Sequence, residues 1–535
     1  MKLFITASML FALLLAVLCA GCRSLAATLA PPRMVTAADT VFTSTRQVTC
    51  LLLGEDNLWV GTSGGVLQRS AQGQWRKWTR ADGLPSHEVR NIAFEQGTIR
   101  VITPRGAVQW NDDRWVPASA SVREANRYEG VTAQWRGQTI IADLDRLVIA
   151  NGAQLPAKSQ RILPFPPSSG THISALTTYG EAAQQSLWAA VFGDGLWQYD
   201  GERWQRLQLD LPREARDITA LAYDEKRRML WLGTRRNGVW SRNEKNGEWT
   251  QFLQTGEMFD HNVQALTAFG GVLAVSTLED GLCRFYNGSW QHESDDQLSS
   301  VAPRQMAVLN GTLYVRHGSG KIDSFDGQQW TRDVFSKLPR KKASAIAANE
   351  NKLFVAQWGG WSEWDGATWT HFLAIPELQG LSLMSLYPDG DRLWIGTQKR
   401  GLGEYSHRDG RFTWHDERHG MPDDWITCIT KIDNVLYAGT FVGGLARYDG
   451  KKWHDIPQLR GENVTALEAN GQGSLFIATR NGVWQQSRQG TLAKLPQQWL
   501  DTEAQALLAV PQGLLIGMRT GLFFVVNESL KPVDK

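Results

Sequence analysis

A chain of 535 residues is longer than one hydrophobic core sustains, so more than one compact body is expected. Its 56 basic and 54 acidic residues leave a net charge of +2, which gives no general attraction for nucleic acid or an anionic membrane surface. Twenty-four Trp and 51 Gly, with few long helix-like patterns, suit many short strands joined by tight turns.

Lys2 precedes an apolar run from Leu3 to Leu18, shorter than the roughly 20 residues of a membrane-spanning helix, and residues 1–21 read as a secretory signal. The run ends in Ala20-Gly21-Cys22, which resembles the cleavage site of bacterial lipoproteins, although Cys19 stands where that family usually has Leu. The resemblance implies a lipidated Cys22 and a periplasmic protein anchored to the cell envelope, at the outer membrane; the other reading is cleavage further on, near Ala26-Ala27. Acyl chains contribute ~0.8 kcal/mol per buried methylene and hold a soluble domain at a membrane without a spanning segment. Residues 22–46 read as a tether. After Cys22 only Cys50, Cys283 and Cys428 remain, each inside a predicted strand, so burial as small apolar residues is expected in preference to pairing.

From there the phrase Leu58-Trp59-Val60-Gly61-Thr62 recurs to the C-terminus. Close copies begin at Leu230, Leu393, Leu436 and Leu475, and looser ones at Ile99, Thr139, Leu187, Leu273, Leu313, Leu353 and Leu514. The steps run 41, 40, 48, 43, 43, 40, 40, 40, 43, 39 and 39 residues, which makes twelve units of about 40. In the first unit Val48–Leu53, Asn57–Thr62, Val66–Arg69 and Gln74–Thr79 form four strand-length runs separated by short turns. The turn before the fourth run repeats as Asp200-Gly201, Asn287-Gly288, Asp326-Gly327, Asp365-Gly366 and Asp449-Gly450, a signal for type I′ hairpins. An aromatic follows on the fourth strand in nine of the twelve units; in the other three, Leu155, Leu492 and Leu530 hold the corresponding place.

The second run is apolar at consecutive positions, as in a strand covered on both faces, so each four-stranded sheet must lie between two others. Repeated stacking around an axis predicts an all-β chain of β-propellers, with the small residue at Gly61, Gly233, Gly396, Gly439 and Ala478 near the crowded inner part of each wedge. Rings hold four to eight blades, so two in tandem are expected, with about six blades in 47–300 and six in 301–535. The 48-residue step around Pro156, Pro164, Pro166 and Pro167 is an insertion or a crossing between rings.

The phrases Ala81-Asp82-Gly83-Leu84-Pro85-Ser86-His87-Glu88-Val89 and His419-Gly420-Met421-Pro422-Asp423-Asp424-Trp425-Ile426 resemble the inter-blade signature of the two-component regulator propeller family. That resemblance implies a periplasmic sensor propeller that responds to polysaccharide fragments. The family often carries fourteen blades with a membrane helix and kinase, whereas this sequence has twelve units and neither element, which favours stand-alone binding over direct signalling.

Two residue sets share a place in the repeat. Arg105, Arg235, Arg236, Lys399, Arg400, Arg480 and Arg519 follow the second strand, where guanidinium and ammonium groups suit the carboxylate, sulfate or phosphate of an acidic oligosaccharide or an envelope partner protein. His87, His172 and His261 precede first strands and constitute the alternative site, that of a polysaccharide lyase or hydrolase. No Gly-x-Ser-x-Gly, phosphate-cradling loop, His-Glu-x-x-His or clustered Cys set occurs, so no catalytic residue, cofactor or metal ligand is assigned. The expected function is that of a lipid-anchored periplasmic binding protein, with sensing or scaffolding as its role.

Overall fold

The computed structural model describes residues 40–530 except 55, 96, 112–113, 119–130, 144–145, 151–161, 168–171, 181–183, 254–256, 259, 279, 294–295, 497–502 and 528–529. The signal peptide, Cys22 and Leu155 lie outside the described residues. No helix among the described residues is long and apolar enough to cross a membrane.

The strands form twelve four-stranded sheets, confirming the repeat count. In chain order they are sheets 1 (48–78), 2 (91–117), 3 (131–163), 4 (173–206), 5 (218–252), 6 (263–293), 7 (303–331), 8 (345–372), 9 (383–415), 10 (426–455), 11 (464–494) and 12 (504–526). In sheet 1 the strands Val48–Leu53, Leu58–Thr62, Gly65–Arg69 and Trp75–Trp78 pair antiparallel in sequence order. Every residue of the second strand is buried, which is the physical content of its unbroken apolar run.

Two compact units result. Thr43–Glu257 holds sheets 1–5, and the other unit holds sheets 6–12 together with the strand Thr40–Phe42. The expected division into six and six at about residue 300 is therefore corrected to five and seven, with the chain passing between units at 42/43 and at 257/258. The ring-closing contacts decide this. In the five-bladed unit Val48, Val60 and Leu67 of sheet 1 pack with Ala220, Trp231 and Val239 of sheet 5. In the seven-bladed unit Val263 and Val275 of sheet 6 pack with Leu515 and Phe524 of sheet 12. Both ends of the five-bladed unit are fastened at one carboxylate: Thr45 N and Oγ1 donate to Glu257 Oε2 at 3.0 and 2.6 Å. Lys77 pairs with the other Glu257 oxygen and donates to Thr43 O at 3.2 Å.

The recurring glycine of the second strand sits against the first residue of the next sheet in its ring. A Cβ on Gly439 would lie 2.6 Å from Val464 Cγ1, and one on Gly517, in the last sheet, 2.4 Å from Val263 Cγ1 in the first. On its own sheet the same Gly439 Cβ would lie 2.6 Å from Cys428 Sγ. Cys50, under Gly61, occupies the equivalent place, and neither of these cysteines nor buried Cys283 is in a disulfide. Burial pushes the Cys50 thiol up to about 11 and that of Cys428 up to about 12, which makes both poor nucleophiles. The fourth-strand indoles fill the outer wedge, with Trp115, Trp204, Trp290 and Trp453 all buried.

Two expectations need revision. Type I′ geometry holds at Asn287-Gly288, where both residues have positive φ (49° and 78°). At the four Asp-Gly turns the glycine alone does, with φ between 93° and 115°. There the aspartate side chain folds the turn: Asp365 Oδ1 accepts from Ala367 N (2.8 Å) and Thr368 N (2.7 Å), and Asp200, Asp326 and Asp449 repeat the pattern. These donors hold the Asp365 carboxyl down at about 2.

The second revision concerns the tether and Leu530. Thr40–Phe42, inside the stretch read as a tether, pairs antiparallel with Gly521–Val526 and is the fourth strand of sheet 12, the role assigned to Leu530. Leu530 is buried in the adjoining core instead. A strand from the opposite end of the chain thus completes the seven-bladed ring, with Phe42 against Phe285 (5.9 Å between ring centroids) and Trp290 (5.6 Å) of sheet 6. Phe42→Ala should destabilise the seven-bladed unit by about 2 kcal/mol, less than for a wholly buried Phe because this ring is half-buried. The check is urea unfolding with hydrogen exchange of the 521–526 amides; an unchanged midpoint and protection would mean that the strand adds nothing to closure.

Candidate functional site

The threonine that ends the repeat phrase builds the loop that carries the basic residues. Thr397 Oγ1 donates to Gly401 O at 2.8 Å and accepts from Arg400 N at 3.0 Å, closing a tight turn between the second and third strands. Thr103, Thr234 and Thr479 repeat the device at Gly106, Gly238 and Gly482. The basic residues of these loops, Arg105, Arg235, Arg236, Lys399, Arg400 and Arg480, are exposed, as is Arg519, whose loop follows Met518 in place of a threonine.

A second local feature shapes the inner strands. In most sheets the pairing skips one residue near the start of this strand, a β-bulge between the first and third positions. The skipped residues are Thr49, Ser174, Thr219, Gln264, Arg304, Met384, Thr427, Thr465 and Gln505. Three of the threonines donate through their hydroxyls to the next inner strand at 2.6 Å: Thr219 to Val48 O, Thr427 to Val464 O and Thr465 to Ala504 O.

Each unit has a cavity lined by these strands. In the five-bladed unit it measures about 520 Å³ and includes Thr49, Glu88, Arg90, Thr132, Ser174 and Thr219. Arg105, Arg235 and Arg236 belong to this unit but not to that lining. In the seven-bladed unit a cavity of about 480 Å³ is lined by Gln264, Thr427, Thr465 and Gln505 from bulges, Asn262, Asn463 and Glu503 before inner strands, Phe441 and Arg480 from threonine-built loops, and Arg519 from the corresponding loop after Met518. Of the basic set, Arg480 and Arg519 converge here, while Lys399 and Arg400 share the unit but not the lining.

The cavity is polar and positively charged on one side. Arg480 Nε lies 3.4 Å from Glu503 Oε1, and its guanidinium lies 5.6 Å from the Phe441 ring, which stacks on Trp425 at 4.1 Å. Arg519 makes no ion pair with a described residue. Gln264 Nε2 donates to Asn262 Oδ1 (2.9 Å) and to Gln505 Oε1 (2.5 Å), while Gln505 Nε2 donates to Asn262 Oδ1 (3.3 Å). Guanidinium groups suit anionic oxygens, amides suit hydroxyls, and an aromatic-cation stack suits the apolar face of a ring. Sequence reasoning missed the amides and Trp425; the available signal was a polar residue second in an otherwise apolar strand.

The histidine set is divided. His87 and His172 are in the five-bladed unit and His261 is in the seven-bladed one. His87 is wholly buried and its Nδ1 accepts from Arg80 N at 3.5 Å. His172 stacks on Phe192 (5.3 Å), and His261 Nδ1 lies 3.5 Å from Asp260 Oδ1. Among the described residues no three His, Cys, Asp or Glu side chains are grouped to hold a metal ion. Trp361 is core, stacked on Phe372 at 4.7 Å, whereas Trp358 in the preceding turn is 56% exposed.

No family model matches the chain, and no curated protein does. Solved structures do. PorZ, an essential bacterial surface component of the type-IX secretion system of Porphyromonas gingivalis, matches at 11% identity and TM-score 0.67, covering 92% of this chain and 87% of its own. The GH74 enzyme of Niastella koreensis matches at 11% identity and TM-score 0.50, covering 91% and 99%. The extracellular domain of the putative hybrid two component system BT4673 from B. thetaiotaomicron matches at 16% identity and TM-score 0.45, covering 90% and 70%. The shared property is the propeller fold. A surface component of a secretion system and a GH74 enzyme are both among the proteins that this chain resembles in fold.

Three residues beyond Thr465 on the same inner strand, Glu468 accepts a hydrogen bond from Ala509 N of sheet 12 at 2.9 Å. Burial pushes its carboxyl from 4.5 up to about 7. The folded state thus holds this proton more tightly than the unfolded one, so its contribution falls as pH rises from about 4.5 to 7. Glu468→Gln should stabilise the protein at pH 8 by up to about 3 kcal/mol and leave it unchanged near pH 4, as measured by urea unfolding at both values.

Proposed function

We propose that the chain is a binding protein of the bacterial envelope whose ligand, an acidic oligosaccharide, is held without chemical conversion at the mouth of the seven-bladed ring. The observation that carries this reading is the convergence of Arg480 and Arg519 with four side-chain amides and the Trp425–Phe441 stack on one cavity of about 480 Å³. The cavity is large enough for one or two sugar rings, within the usual range of ligand sites. Its carboxylate, Glu503, is engaged by Arg480 and has no second acid among the described lining residues, so the lining suits recognition better than paired acid and base work.

Titration calorimetry of the mature chain against uronate oligosaccharides and their neutral methyl esters tests the reading. Acidic forms should bind and esters weakly, and Arg480→Ala with Arg519→Ala should reduce affinity by about 100-fold, two charge-assisted contacts at roughly 1.5 kcal/mol each. Equal binding of acid and ester, or an unaffected double variant, would overturn it. Binding only to an envelope protein, with no oligosaccharide response, would replace this ligand with the partner reading.

Membrane attachment follows from Cys22 as its lipidated residue. Cys22→Ser in the full chain should abolish incorporation of labelled palmitate and shift the protein from the membrane to the soluble envelope fraction; retention of label would refute the assignment.

A further inference from the structure

Sheet 7 places a cation at two positions where no other sheet of its ring has one. At the small-residue position of the second strand, where sheets 6 and 8–12 have Ser276, Ala356, Gly396, Gly439, Ala478 and Gly517, it has Arg316, paired across the strands with Gln305. At the bulge itself, where sheets 10 and 11 have threonine, it has Arg304. Neither guanidinium has a carboxylate within ion-pair distance among the described residues. Their fixed partners are neutral oxygens instead: Arg304 Nη1 donates to Gln264 Oε1 at 2.5 Å, and Arg316 donates through Nε to Gln305 Oε1 (3.0 Å) and through Nη1 to His317 O (3.1 Å).

These contacts occupy three of the ten N–H groups that two guanidiniums present. The amides are themselves fixed. Gln305 Oε1 also accepts from Ile346 N at 3.1 Å, and Gln264 is tied to Asn262 and Gln505 of the mouth. Burial pushes Arg316 down to about 10, and the neighbouring charge of Arg304 acts in the same direction. Two like charges drawn together in a half-buried place, with spare donors and no counter-charge, are costly unless an anion is brought to them.

We propose that Arg304 and Arg316 form a site for a dianionic phosphomonoester group, reached from the mouth past Gln264. The charges match: two guanidiniums carry +2, and a phosphomonoester carries about −1.5 to −2 at pH 7 with three acceptor oxygens. A carboxylate would neutralise only one of them. The proposal deepens the reading of the mouth as an acidic-oligosaccharide site by requiring a phosphorylated sugar, and the test separates the two.

Glucose-1-phosphate, inorganic phosphate and glucose are titrated against the mature chain, followed by ³¹P line broadening and calorimetry. Both phosphates should bind, more tightly at pH 8 than at pH 5 as the second proton leaves, and glucose should not. Arg304→Gln and Arg316→Lys, each checked for an unchanged unfolding midpoint, should weaken phosphate binding by at least about 10-fold. Arg480→Ala with Arg519→Ala should leave inorganic phosphate binding in place. If neither phosphate binds at millimolar concentration, or Arg304→Gln binds as the parent does, the phosphate site is wrong. Uronate binding that depends on Arg480 and Arg519 would then leave the reading of the mouth standing, whereas phosphate binding with no oligosaccharide response would sink that reading and keep this one.

Discussion

Both faces of every sheet are apolar, and the architecture depends on covering them. A second strand such as Leu58–Thr62, buried at all five positions, loses its stabilisation if either neighbour is removed. No sheet can therefore stand at an open end, and closure is the arrangement that removes ends. The closest approach is made where glycine meets the first residue of the next inner strand, as Gly233 does with Val48 and Gly517 with Val263. Those two contacts join the last sheet of a ring to its first. They are made of the same residue types as contacts inside the ring, so closure uses ordinary packing between sheets.

This sameness explains what was legible in the chain and what was not. Periodicity, strand positions, the buried second strand and the role of the small residue all follow from local patterns, and they reappear within a residue or two of where the pattern puts them. The number of blades per ring does not. Gly439 against Val464 and Gly517 against Val263 look alike in sequence, yet one joins neighbours 39 residues along the repeat and the other closes a circle of seven. Thr40–Phe42 was hidden for a related reason: a three-residue strand has too short a pattern to stand apart from a tether, and its partner lies at the far end of the chain.

Turn chemistry was half legible. Asp-Gly marks the hairpin correctly because glycine takes positive φ, but the aspartate works through its carboxylate, accepting the next two or three amide protons, and keeps its own backbone in an ordinary region. Asn287, with φ 49°, takes the alternative. The basic residues were placed on the right loops because the repeat fixes their phase. Which of them converge depends on ring membership, and so Arg105 and Arg519, equivalent in phase, end in different units.

A repeat of this kind separates what must be kept from what is free to change. The glycine, the buried apolar run and the threonine that folds the loop serve closure; the loop tip serves none of it, and the bulge residue is free where it is not a threonine bonded to the next inner strand. Chemistry collects at those freed positions, as amides at Gln264 and Gln505 and as cations at Arg480 and Arg519. Arg316 is the exception that shows the rule, because it stands at the glycine position itself. Sheet 7 accepts a long charged side chain there and holds it by Gln305 and a backbone carbonyl in place of close packing. In the sequence this appears as the loose copy Leu313-Tyr314-Val315-Arg316-His317, so the departure from a small residue at its fourth position marks the place where packing has yielded to another demand.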